Sequence, residues 1–349
     1  MAEIPSALSL QGCLAQALAP VVARATLGCR HHGWPHATNL GDSLPQLRFS
    51  RDRQDIAYLY RPSTAHPSTN HPNTKSGAIP DALTTTLVAQ WVDLSQATLP
   101  KKLGAGSPDP ITLGRGNPDF PNPDSLDPVP LWADWKIYLS AHTTAQALPS
   151  GQIVLRPTAP ALGAWLWGFT HTCPPPSNPT DSAPIPFPQK QAPLAEVLHL
   201  SPLALLQYTH MRCHQLAQRS PLWPLPLSPN FPNPPVDLAN GLAALAPSSP
   251  SGLQLLRAII ALVDHLALDD LALDDLVQPS LTTENPLPPQ ILNQGFIKGY
   301  HLCEAADLWL RDIVGQSGEP ATVLLLQGAS QGLAHLLQGW LQATAPTQL

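Results

Sequence analysis

Side chains able to do chemistry are sparse in this sequence and seldom spaced for it. His210 and His214 stand four residues apart with Cys213 beside them, which puts both imidazoles on one helix face, as two zinc ligands require. A further carboxylate or histidine nearby is missing, so a metal site is disfavoured, and packing and hydrogen bonding that hold the helices together are the plainer reading of this segment. Cys29, His31, His32 and His36 form a looser cluster that reads as a polar loop. Gly-x-Ser-x-Gly is absent, and none of the five cysteines (13, 29, 173, 213, 303) carries a nucleophile's local signature. Two glycine stretches, LGAGSPD (103–109) and LGRGNPD (113–119), superficially suit a phosphate loop. Proline two residues after each GxG stops a helix from starting where a phosphate would need its N-terminus, so both read as turns. LALDDLALDD (266–275) is an acidic duplication without the ligand order of a calcium loop; it reads as a solvated edge. The expectation is no catalytic residue, no metal and no cofactor.

The elements that must position any site follow from composition and punctuation. At 349 residues the chain suggests two domains. Charged residues make up 12% against about 25% in an ordinary soluble domain, and the 43 prolines are more than twice the usual share. The most apolar run, 252–268, contains Arg257 and Asp264, so no bilayer span and no membrane association is expected. A hydrophobic content of 43% with nine tryptophans is enough for folded cores rather than general disorder. Glu3, the lack of early basic residues and Pro5 argue against a secretory signal. The odd number of scattered cysteines, never in CxxC, reads as reduced thiols in a cytoplasmic protein.

The fold class expected is an α+β N-terminal domain followed by an all-α helical bundle. Residues 1–172 carry a helix at 6–28, strands at 135–140 and 151–156 around a Pro149-Ser150-Gly151 loop, and a buried helix at 161–169. A low-complexity insertion rich in Pro, Asn, Ser and Thr occupies about 62–130. Residues 173–193, with CPPPSNPTDSAPIPFPQKQAP, read as an extended linker, since proline removes backbone donors and disfavours helix before it. From 194 to 349 the pattern is helical. Ser201-Pro202 opens one helix with a capping side chain and proline at the first position. Further helices are expected at 251–268, capped by Ser251, and at 288–314 and 320–343, with the proline-rich 221–250 as a long loop. Trp132, Trp135, Trp165, Trp167 and Trp309 fall on expected core faces.

Three C-terminal stretches together resemble one family. Leu206-Gln207-Tyr208-Thr209-His210-Met211-Arg212 is similar to a Gln-Tyr-Ala-His-Ala-Arg helix; the Pro289 to Trp309 helix matches a Tyr/Leu-rich helix after a proline; and 321–349 resembles a last helix ending in Ala-Pro. The family is the DALR anticodon-binding domain, known from the C-terminus of arginyl-tRNA synthetases. The resemblance covers about 195–349 and implies an anticodon-binding-domain-like helical fold that binds tRNA through Gln207, Tyr208, His210 and Arg212. Tyr208 would stack on a base and Arg212 would pair with phosphate or a base edge. More weakly, Gly151-Gln152-Ile153-Val154-Leu155 before Ala161–Phe169 resembles the amino-terminal domain of the same enzymes.

The departures matter as much. Class I synthetases stabilise the ATP phosphates with His-x-Gly-His and a lysine-rich loop. Here His31-His32-Gly33-Trp34 has the wrong spacing, and Lys101-Lys102-Leu103-Gly104 lacks the second lysine. Glu319-Pro320-Ala321-Thr322-Val323-Leu324 has lost the arginine of the Asp-Ala-Leu-Arg-like stretch. The resemblance therefore implies a pseudoenzyme without arginyl-tRNA aminoacylation of its own. Charge adds a further constraint. From Glu196 onward the net charge is −7, against −6 for the whole chain, and RNA affinity comes largely from neutralised phosphates. Three expectations follow: weak tRNA binding, a protein-interaction module with an acidic partner-binding face, or an accessory subunit of a separate synthetase.

Overall fold

The computed structural model describes residues 9–31, 45–50, 55–62, 84–93, 139–173, 193–220, 249–267, 289–313 and 320–346. They are mostly helical, with one small antiparallel sheet in the N-terminal half. None of these helices is long and apolar enough to cross a membrane.

Helix α1 spans Leu10–His31, four residues later than its expected start, with Pro20 on its exposed side. Its buried stripe of Leu10, Leu14, Leu18, Val21 and Ala25 follows the helical period. Strands β1 (Leu47–Phe49), β2 (Tyr58–Tyr60), β3 (Thr143–Ala147) and β4 (Ile153–Pro157) form a sheet in the order β1-β2-β4-β3, every neighbouring pair antiparallel. Leu47, Tyr58, Tyr60, Ile153 and Leu155 point into the core. Arg48 and Arg156 lie on the other face, where Arg156 Nε meets Asp55 Oδ2 at 2.7 Å. The β3–β4 hairpin turns at the expected Pro149-Ser150-Gly151. Gly151 has φ 72°, the left-handed position that closes a three-residue hairpin loop.

Both sheet edges are engaged. Trp91, on a helix over 84–93 (α2), donates from Nε1 to the Thr143 carbonyl at 2.9 Å. On the opposite edge Gln11 Nε2 donates to the Leu47 carbonyl at 3.0 Å. Such contacts block pairing with a foreign strand.

Four expectations are corrected here. The strand expected at 135–140 is not one where it is described: 139–141 is helical, and the strand is Thr143–Ala147. Leu139, fully buried, goes to the core from a helical turn, while the β-branched Thr143 and Thr144 begin the strand. The low-complexity stretch contains α2, whose Leu87 and Trp91 supply the buried face that its polar neighbours concealed. Strands β1 and β2 were not foreseen. Finally, the cap of the helix at 250 is Ser249, whose Oγ accepts from Gly252 N at 3.1 Å; with Pro250 in the first helical position, Ser251 lies inside the helix.

Helix α3 (Ala159–Thr172) carries Trp165, Leu166 and Phe169 into the core. It is followed by a short α4 (Pro193–Val197), then α5 (Pro202–Gln218), α6 (Pro250–Ala267), α7 (Pro289–Asp312) and α8 (Pro320–Ala334). The chain then widens into a π-helical turn, His335–Trp340. Helix α8 is apolar on all sides and buried almost throughout, the pattern of a helix enclosed by others. It packs on α5, α3 and α6. Glycine makes the approach close: a Cβ on Gly328 would stand 2.5 Å from Leu166 Cδ1, and one on Gly299 would stand 2.6 Å from Leu336 Cδ2. Buried apolar residues of α1, the sheet and the later helices belong to one continuous cluster.

A carboxylate joins the two ends of the chain. Asp264 of α6 is buried, accepts from Gln11 N at 3.0 Å and from Tyr58 Oη at 2.5 Å, and is also hydrogen-bonded by Leu10 N. It thereby caps the first turn of α1, where orphan N–H groups and the helix dipole favour a negative group. Two turns before it, Arg257 donates to the Asp55 carbonyl and, at 3.1 Å, to the Ser50 carbonyl, with its guanidinium 4.9 Å from the Phe49 ring centre.

Burial pushes the Asp264 carboxyl up to about 7, against the pull of its hydrogen bonds and of Lys298. Between the ordinary carboxyl range and that value the folded state keeps a proton the unfolded chain has released. Stability from this group therefore falls as pH rises through that window, by at most about 1.4 kcal/mol per pH unit. Urea unfolding of Asp264→Asn, compared with wild type across this window, is expected to differ by that slope. Asp264→Ala, which orphans Tyr58 and the α1 amides, is expected to lose about 2–4 kcal/mol. Gly328→Ala is expected to cost about 1–3 kcal/mol through overpacking on Leu166, read from the same titration.

Candidate nucleic-acid interface

Helix α5 begins where Ser201 Oγ accepts from Ala204 N at 3.2 Å with Pro202 at the first position, as the sequence indicates. Its helical phase turns Leu205, Leu206, Thr209, His210, Cys213 and Ala217 inward. Gln207, Tyr208 and Arg212 are left half-buried on its flanks.

The four residues expected to contact RNA are each engaged within the protein; Tyr208 and Arg212 line one crevice, while Gln207 and His210 bond to other partners. Gln207 Nε2 donates to the Thr344 carbonyl at 2.9 Å and lies 3.3 Å from its hydroxyl, holding the chain's last described segment against α5. Tyr208 lines a crevice with Leu194, Leu198, Arg212, Asp307 and Leu310. Its free volume is about 10 Å³, at the lower limit for one water and far too small for a base. His210 is buried, with Nδ1 2.8 Å from the Ser330 carbonyl and 3.1 Å from its hydroxyl. A carbonyl only accepts, so Nδ1 carries the proton and Nε2, which has no partner, is bare. Burial lowers the His210 pKa, opposed by the bond to Ser330 and aided by His214. Arg212 Nη1 reaches Asp307 Oδ1 at 3.3 Å, and Arg311 Nη2 reaches the other oxygen of the same carboxylate at 2.5 Å.

The imidazoles of His210 and His214 stack at 6.0 Å. Among the described residues no three His, Cys, Asp or Glu side chains gather as metal ligands. Trp165, Trp167 and Trp309 are buried and unavailable for base stacking. Trp132, Trp135, the side chains of the Cys29–His36 cluster, both glycine stretches and the four aspartates of 266–275 lie outside the described residues, as does the body of the 173–193 stretch.

A second concavity was not anticipated from sequence. The end of α6 and the start of α7 frame an open cleft of about 410 Å³ lined by His265, Gln290, Ile291, Asn293 and Gln294. His265 Nε2 lies 3.3 Å from the Ile291 carbonyl, and its ring packs 5.3 Å from Trp340. Burial lowers the His265 pKa; the bond to Ile291 opposes this and the charge of Lys298 adds to it. The Nε2–H of His265 is committed to the Ile291 carbonyl, so the imidazole offers only an accepting Nδ1, beside three side-chain amides that both donate and accept, with a cation nearby. The only sequence signal was the run of amides at 290, 293 and 294 on a helix start, ordinary for a solvated surface.

No protein-family model, curated protein or solved structure matches the chain.

If the α5 residues serve packing, truncation registers in stability. His210→Ala is expected to cost about 2–3 kcal/mol in chemical denaturation. Arg212→Ala, whose side chain is 36% exposed, is expected to cost under about 1 kcal/mol after solvent screening.

Proposed function

We propose that the chain is a non-catalytic tRNA-binding protein whose C-terminal helices form a bundle of the anticodon-binding type. The supporting observation is the cleft at the α6–α7 junction. Single-stranded RNA is read by side chains that hydrogen-bond the edges of unstacked bases, and Gln290, Asn293, Gln294 and neutral His265 provide such groups around a volume that admits one base. Lys298, close enough to bias His265, supplies a positive charge for an adjoining phosphate. The reading also rests on the sequence resemblance of about 195–349 to the DALR domain. In this reading Gln207, Tyr208, His210 and Arg212 keep α5 seated and act on RNA only through the shape they maintain.

The proposed affinity is low. One or two bases at about 1–3 kcal/mol each correspond to dissociation constants in the tens of micromolar or weaker. The net charge of −7 from Glu196 onward rules out a broad basic surface. No aminoacyl transfer is included, since the phosphate-stabilising motifs of the synthetases have no counterpart in the sequence.

A second reading, a protein-interaction module with an acidic face, is favoured by one observation. Asp307 occupies both Arg212 and Arg311, two of the five basic residues after Glu196.

Fluorescence titration with total tRNA at about 50 and 200 mM salt separates the readings. Saturable binding that weakens with salt, and falls about tenfold in Asn293→Ala/Gln294→Ala, is expected. No binding at about 100 μM tRNA leaves the interaction module.

A further inference from the structure

The last helix is fastened at two points that differ chemically from the rest of the core. Ser330 and His335 bracket the place where α8 gives way to the π-helical turn. At the first point His210 of α5 donates to the Ser330 carbonyl at 2.8 Å. At the second, His335 Nε2 lies 3.2 Å from the Cys173 carbonyl at the end of α3 and 3.3 Å from the Cys173 Sγ. Both imidazoles are almost wholly enclosed, with exposures of 4% and 3%. Each has one nitrogen without a partner: Nε2 of His210 and Nδ1 of His335.

None of the groups named around these rings offers a negative charge, and the neighbouring His214 imidazole opposes a positive charge on His210. Around His210, α8 contributes the Ser330 carbonyl and hydroxyl, and α5 contributes His214. Around His335, α3 contributes Cys173 and the Phe169 ring, 6.1 Å away. Among the described residues no carboxylate pairs with either imidazole. A proton added to the bare nitrogen of His210 or His335 would make a buried cation with an unsatisfied N–H, which is costly.

We propose that His210 and His335 form a two-point acid release for the last helix: proton uptake by the two imidazoles unseats α8 and the π-helical turn from α5 and α3, while the joint at Asp264 stays closed. Burial lowers both histidines from their ordinary value, so the stability they allow is complete above that value and is lost as pH falls below it. Asp264 acts in the opposite sense. It gains a proton as pH falls, and its environment of Tyr58, the Gln11 and Leu10 amides, Lys298 and, beyond Tyr58, Arg257 and Cys13 then holds a neutral acid. Mild acid thus loosens the α8 seam while Asp264 itself resists acid; His265, the next residue, is also lowered by burial but bonds Ile291 and packs on Trp340, away from the contact of Asp264 with α1 and β2.

Cysteine accessibility in the full chain reads this directly. Cys173 sits at the acid-sensitive seam; Cys13 lies beside Tyr58, and Cys303 between α7 and α5. Labelling with a dithiodipyridine, active in acid, is resolved by peptide mass spectrometry. On going from about pH 7.5 to 5.5, a span that charges a histidine, Cys173 labelling is expected to accelerate about tenfold while Cys13 and Cys303 stay protected. In His210→Gln/His335→Gln that acceleration is expected to vanish. Concerted exposure of all three thiols in the wild type overturns the proposal, as does an unchanged pH profile in a folded double variant. If the variant does not fold, the contrast between Cys173 and the other two thiols in the wild type decides.

Discussion

The carboxylate of Asp264 is the constraint on which the rest of the structure depends. A buried carboxyl group is costly unless hydrogen-bond partners surround it, and here its donors, the first turn of α1 and Tyr58 of β2, tie two other elements to α6. Moving either of them away from α6 leaves a buried polar group unsatisfied. The geometry therefore specifies a joint position for the helix, the sheet and α6, which apolar packing alone does less sharply. Arg257 repeats the device two turns earlier in α6, with carbonyls of the β1–β2 connection as acceptors.

The opposite side of the molecule is built by another logic. Helix α8 has no charged residue and few polar ones, so contact and shape hold it. Gly328 and Gly299 set the spacing by letting Leu166 and Leu336 come closer than any side chain permits. Polar fastenings are confined to its end, where His210, Gln331 and His335 satisfy carbonyls of α8 and α3. The C-terminal helices thus combine a greasy axle with a polar rim, and among the described residues Asp307 holds two of their arginines while Arg257 is turned to the sheet.

Local signals in the sequence foretold the parts of the fold that local physics decides. Ser201-Pro202 opens α5 because hydroxyl cap and proline act over four residues, and Pro149-Ser150-Gly151 turns the hairpin because glycine alone takes that backbone angle freely. What was not legible depends on distant partners. Strands of three residues, Leu47–Phe49 and Tyr58–Tyr60, are too short to show a period and exist because β4 is there to pair with them. Residue type on α5 is compatible with both RNA contact and packing within the bundle; the partners Thr344, Ser330 and Asp307 lie about a hundred residues away in sequence, so the particular contacts are not legible locally. The His265–Gln294 cleft was equally hidden, being formed by two helix ends that meet only after folding.

The cap on α1 also dictates when the protein can finish folding. Residue 11 waits for residue 264, a separation of 253 positions. At cellular elongation rates of about 5–20 residues per second, roughly 10–50 s pass between their appearances on the ribosome. During that interval the leucine stripe of the first helix has neither its carboxylate nor its packing surface. A nascent chain of this design therefore carries its first helix uncapped by Asp264 for most of its synthesis.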